Sequence, residues 1–221
     1  MAAHDTGTRR WRRWSATVAM VGVVLYVLID VVLQFLPPHY SPISDAESNL
    51  AVGPYGWVMN LNFLGRAVFC AAAVVAIALT SRALPPPRRD HLLGTGLVLL
   101  LVGGASSAVL AVFPTDVSAS HESTLHASTT VGVIHLAVAS FGFVTALVAI
   151  LLLTGWLWLR RVLPRALPWA VACAALTLAG LLLVVAASTW LPGVIGAAER
   201  AALLGILGWT FSVTAGIRQI K

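Results

Sequence analysis

Six apolar runs constrain this chain more than any other feature. They lie at residues 15–36, 56–81, 92–113, 127–159, 166–190 and 198–217, and each matches or exceeds the ~20 residues a helix needs to cross ~30 Å of hydrocarbon. Backbone groups in hydrocarbon must find their hydrogen bonds within the segment, so such runs are read as helices. With 59% hydrophobic and 10% charged residues, the chain lacks the polar surface to cover a soluble globule. The expectation is an all-α fold, a polytopic integral membrane protein whose six-transmembrane-helix bundle occupies residues 15–217, flanked by a basic segment at 1–14 and a tail at 218–221. The fourth run is over-long, which places its first turns in the headgroup layer.

A net charge of +6 and a pI near 10.4 would suggest nucleic acid for a soluble protein, but the positions of the charges argue otherwise. Arg9, Arg10, Arg12 and Arg13 precede the first run. Arg82, Arg88 and Arg89 follow the second, Arg160, Arg161 and Arg165 the fourth, and Arg218 and Lys221 the sixth. That assigns 12 of the 14 basic residues to one side, which the positive-inside rule makes the cytoplasm. Both termini are therefore expected in the cytoplasm of a multi-pass plasma-membrane protein that takes no nucleic acid as partner. Asp30, Asp45, Glu47, Asp116, Glu122 and Glu199 fall on or near the opposite side. The opening RRWRRW and its apolar run resemble a signal peptide, but with no small-residue cleavage site they read as an uncleaved first helix.

Polar residues inside the runs are the candidates for function, because burying them in lipid is costly. Tyr26, Asp30 and Gln34 recur at i, i+4 and i+8 on one face of the first helix. Arg66, one turn below Asn62 on the second helix, is the expected partner of Asp30, either as an ion pair fixing register or as part of a polar-ligand site. A helix continuous from residue 121 would align His121, Thr124, Ser128 and His135 on one stripe and Glu122, His126 and Thr129 on another. His126 and His135 then point apart, which disfavours a shared metal, and HESTLH lacks the i, i+4 histidines of a zincin. We assign no metal site, although ligation by His121, His126 and loop acids is chemically open, and the cofactor is unknown. Glu199 complements the dipole at the start of the sixth helix. Arg200 lies on the side poor in basic charge and is expected to pair with Asp45, Glu47 or Asp116 or to face a phosphate. Trp57, Trp156, Trp158, Trp169 and Trp190 form an interfacial belt, and the small residues of the third run suggest a central packing helix.

The ordered segments HYSPISDAESNLAVGPYGW, NLNFLGRA, AVFPTD, TLH and ER resemble the prokaryotic membrane proteins grouped as domain of unknown function 998, across almost the whole chain. More distantly, the first loop is similar to the Frag1/DRAM/Sfk1 group of six-helix proteins linked with lipid handling. The resemblance implies six helices and puts weight on Ser44, Asp45, Pro114, Thr115, Asp116, His126 and Arg200.

Two functions follow as expectations. One is a lipid- or isoprenoid-handling protein, an intramembrane acid-base enzyme in its sharpest form, terpene-cyclase-like or lipid-hydrolase-like. Asp45, Asp116 and His126 would be catalytic, and Asp30, Asn62, Arg66, Glu199 and Arg200 would bind a hydrophobic or amphiphilic small molecule. The other is a non-catalytic lipid-binding or scaffold protein in which the same residues form a salt-bridged cap.

Overall fold

The computed structural model describes residues 2–36, 40–83, 90–117 and 127–220, with side chains from residue 7 onward. Its helices are α1 Ala2–Leu33, α2 Gly56–Arg82, α3 His91–Leu110, α4 Thr130–Leu159, α5 Leu167–Thr189 and α6 Ile195–Gln219, with short 3₁₀ turns at Glu47–Ala51 and Pro192–Val194. All six helices are long and apolar enough to cross a membrane. No strand occurs among the described residues.

Each helix packs on its neighbour in the chain and α6 closes against α1, so the six form a ring, with α6 also touching α2 and α4. Arg12 at the start of the bundle donates to the Ile220 carbonyl at 3.2 Å, which puts both termini at one end, here the terminal end. The helix ends that the α1–α2, α3–α4 and α5–α6 connections join lie at the other, the hairpin end. The enclosed helix is α6, not α3 as its small residues suggested. Glycines on several helices, not only α3, set the close approaches: Gly103 meets α4 at Gly142 and Thr145, and Gly180 and Gly205 meet α6 and α5. Small residues let helix backbones touch where lipid supplies no hydrophobic drive for association.

Two large apolar cores result, with a small third cluster of Ala187, Ile195 and Ala198 where α5 meets α6. One, toward the terminal end, includes Ile77, Leu100, Ile150, Trp156 and Trp209; the other, toward the hairpin end, includes Val23, Tyr26, Phe63, Phe69, Leu110 and Leu207. Trp156 departs from the belt expected of it. It is 2% exposed and its Nε1 donates to Asp90, the N-cap of α3, at 2.6 Å; Trp57, Trp158, Trp169 and Trp190 stay exposed.

The fourth helix does not run through from residue 121. Thr129 ends the preceding segment by capping α4, its hydroxyl accepting from the Gly132 amide at 3.0 Å, so the stripe through Ser128 and His135 does not form. A side-chain oxygen that satisfies an otherwise orphaned N–H is a strong start signal. His121, Glu122 and His126 lie outside the described residues.

Candidate functional site

At the hairpin end α1, α2 and α6 surround the loop between α1 and α2, and acids and cations from all four meet inside the bundle. The stripe expected on α1 forms: Tyr26 and Asp30 are buried and Gln34 donates to Asp30 Oδ2 at 2.7 Å. The partner of Asp30 is not Arg66. Arg200 Nη2 lies 3.7 Å from Asp30 Oδ1, because α6 packs beside α1 and brings its first turns to the level of Asp30. Arg200 also donates through Nη1 to the carbonyls of Pro42, Asp45 and Gly196 at 3.0, 3.2 and 3.3 Å, and through Nη2 to the Tyr40 hydroxyl, whose ring lies 5.4 Å from the guanidinium carbon. Burial pushes the Tyr40 phenol upward despite the nearby guanidinium.

Glu47 is the residue that sequence reasoning undervalued, naming it only as an acid of one side and a possible partner of Arg200. The chain after Asp45 turns inward, and Glu47 is 3% exposed. Tyr26 donates its hydroxyl hydrogen to Glu47 Oε2 at 2.9 Å. The Glu47 amide donates to Glu199 Oε2 at 2.8 Å, and Asp30 and Glu199 lie near enough for their charges to act on the Glu47 carboxyl. Burial, reinforced by the charges of Asp30 and Glu199, raises the Glu47 carboxyl from 4.5 to about 8, so it holds its proton near neutrality. Two carboxyls this close cannot both ionise cheaply.

Deeper, Asn62 donates to the Tyr26 carbonyl at 3.1 Å. Arg66 is 6% exposed, faces the Phe143 ring at 6.0 Å and approaches Tyr26. Thus Asp30, Asn62, Arg66, Glu199 and Arg200 gather in one region, joined by Tyr26, Tyr40 and Glu47.

The carboxylates expected to be catalytic are otherwise engaged. Asp45 accepts from the Ser41 amide at 2.7 Å and staples its own turn; only its carbonyl reaches Arg200. Asp116 accepts from the amides of Ser128 and Thr129 at 2.7 and 2.8 Å and from their hydroxyls at 3.2 and 2.8 Å. These bonds, led by those of Thr129, pull its carboxyl below the ordinary range. Both carboxylates satisfy hairpin amides that would otherwise lack partners, the role short acidic side chains fill next to helix starts and in turns. His135 lies nearby: its Nδ1 is 2.6 Å from the Phe113 carbonyl, which can only accept, so Nδ1 carries the hydrogen. Among the described residues no group of three or more His, Cys, Asp and Glu side chains has the arrangement to hold a metal ion.

A family model described as "Protein of unknown function (DUF998)" matches residues 20–216. No curated protein and no solved structure matches the chain.

Proposed function

The chain belongs to the DUF998 family, and on that premise we propose that it is a membrane-embedded protein handling a lipid or isoprenoid, with the Asp30–Glu47 carboxyl pair as its acid-base group. The observation that carries this reading is that pair, buried at one end of an apolar bundle with Tyr26 behind it and Arg200 beside it. A bundle that needed only helix register would be served by one ion pair; a proton-holding carboxyl in addition is what protonation of an alkene, epoxide or ester oxygen requires. Unbiased mass spectrometry of molecules retained by the purified protein should show one amphiphile class enriched over the bulk membrane extract, and a composition equal to the extract overturns the reading. Glu47→Gln should keep the bound molecule and abolish its conversion.

The pH dependence has a definite sign. The folded state holds a proton on Glu47 up to about pH 8, whereas the unfolded chain releases it near 4.5. Folding stability therefore falls as pH rises through that window, and Glu47→Gln should flatten the decline in thermal unfolding profiles. A non-catalytic lipid-binding or scaffold role is the second reading. It is favoured by the bonds of Arg200 and Glu199 to the backbone of the first loop, which tie α6 to that loop without needing a substrate. In that case Glu47→Gln changes melting behaviour but not the retained molecules.

We place the terminal end in the cytoplasm and the cluster at the outer leaflet of the plasma membrane, on the arginine asymmetry. Reporters fused after residue 221 and inserted near residue 118 should then read opposite sides, and identical readings would refute the topology.

A further inference from the structure

We propose that Arg66 receives the anionic head, a carboxylate or a phosphate, of an amphiphile drawn into the centre of the bundle beside Ser107. This inference rests on the lipid-handling reading and names the class of molecule handled.

Arg66 carries a permanent charge in the interior of a bundle of apolar helices, yet it forms no ion pair among the described residues, where the one carboxylate paired with a cation is Asp30 with Arg200. The acid expected for it is therefore spent. Glu47 is no substitute, because the Tyr26 hydroxyl stands between them: Arg66 approaches Tyr26, and Tyr26 gives its hydrogen to Glu47. The Nε of Arg66 has no hydrogen-bond partner, and the rest of the guanidinium lies against Tyr26 and the face of Phe143.

A second donor lies at the same depth. Ser107 on α3 is 1% exposed and its Oγ is also unpartnered. A Cβ built on Gly104 would meet the Cys70 Cβ at 2.5 Å, which fixes the register of the antiparallel α2 and α3. From that contact, Ser107 is three residues on and Arg66 four residues back, each one turn toward the hairpin end. The Arg66 Nε and the Ser107 hydroxyl, on adjacent helices, are thus at one level, both buried and both without a hydrogen-bond partner. The backbones of α2 and α4 do not come together as neighbours do, and Arg66 spans the interval to Phe143. Phe63, Phe69, Leu110 and Leu207 make the surroundings apolar, which suits an acyl or isoprenoid tail better than a free inorganic ion. Buried donors with no acceptor are costly, and an anionic oxygen between Arg66 and Ser107 satisfies both.

The test uses the full chain in phosphatidylcholine nanodiscs with three probes sharing one tail: oleate, oleyl phosphate and oleyl alcohol, with binding read by native mass spectrometry. At least one anionic probe should bind wild type about tenfold or more tighter than the alcohol, ~1.4 kcal/mol; whichever of the two binds tighter identifies the head as carboxylate or phosphate. Arg66→Gln should bring the advantage to within about threefold, and Ser107→Ala should reduce it about fivefold. Equal binding of all three probes to wild type, a comparison that needs no variant to fold, overturns the proposal and leaves lipid handling standing. An advantage that survives Arg66→Gln also overturns it. Failure of every probe to bind overturns the lipid-handling reading and this inference with it.

Discussion

Replacing Arg200 with leucine is expected to destabilise the bundle by about 3–5 kcal/mol, the usual cost of removing one partner of a buried ion pair. The Arg200 and Asp30 side chains are 16% and 12% exposed, so water does little to screen the charge left on Asp30. Glu199 presses on that charge from the same cluster. The change also removes the donor shared by the carbonyls of Pro42, Asp45 and Gly196, which holds the first loop against the start of α6. A lysine in its place should recover only part of the loss, since a compact ammonium cannot reach three carbonyls, a phenol and a carboxylate with the geometry of a planar fork. Thermal unfolding in nanodiscs, followed by helical circular dichroism, measures both variants. A leucine variant within about 1 kcal/mol of wild type, the scale of an exposed pair, would show that the cluster is solvated.

Gly205→Ala should be about as damaging, although it adds a single methyl. That methyl would lie 2.5 Å from the Thr177 amide nitrogen and 2.7 Å from the Cys173 carbonyl oxygen, backbone atoms of α5 that no rotamer change can move. The reciprocal contact, where a methyl on Gly180 would run into the Ala202 amide, means that separating the helices at one site strains the other. Overpacking costs ~1–3 kcal/mol when side chains can yield, and here the helices must part, so the effect belongs at or above the top of that range. Gly65→Ala is the matched control: a methyl there meets nothing within 4 Å, and the higher helix propensity of alanine, ~1 kcal/mol, should make it neutral or stabilising. If both alanine variants melt alike, the α5–α6 approach is looser than described.

How much of this was legible in the sequence depends on how local the deciding physics is. Helix number follows from the summed hydropathy of ~20 consecutive residues, and the runs at 56–81 and 166–190 agree with Gly56–Arg82 and Leu167–Thr189 to within a residue. The fourth run, 127–159, became Thr130–Leu159; what failed was its continuation back to residue 121, for a local reason that apolar content does not record, the Thr129 cap on Gly132. The stripe of Tyr26, Asp30 and Gln34 needed only the helical period, and its Gln34–Asp30 hydrogen bond is an i, i+4 contact.

Which cation meets Asp30 is a different kind of question. Arg66 and Arg200 were the two basic residues outside the arginine-rich side, and nothing in spacing ranks one over the other; α6 packing beside α1 decided for Arg200. The loop acids follow the same division. Asp45 and Asp116 were captured by amides of their own hairpins, whereas Glu47, two residues after Asp45, was carried inward to Tyr26 and Glu199. By itself the sequence determined that this chain makes six long apolar helices with a few polar residues held among them, because each helix answers to its own hydropathy and period. Only the tertiary structure decided which acid pairs, which caps a turn and which keeps a proton, because those outcomes depend on backbone approaches between helices far apart in the chain, set by glycines whose partners no local pattern names.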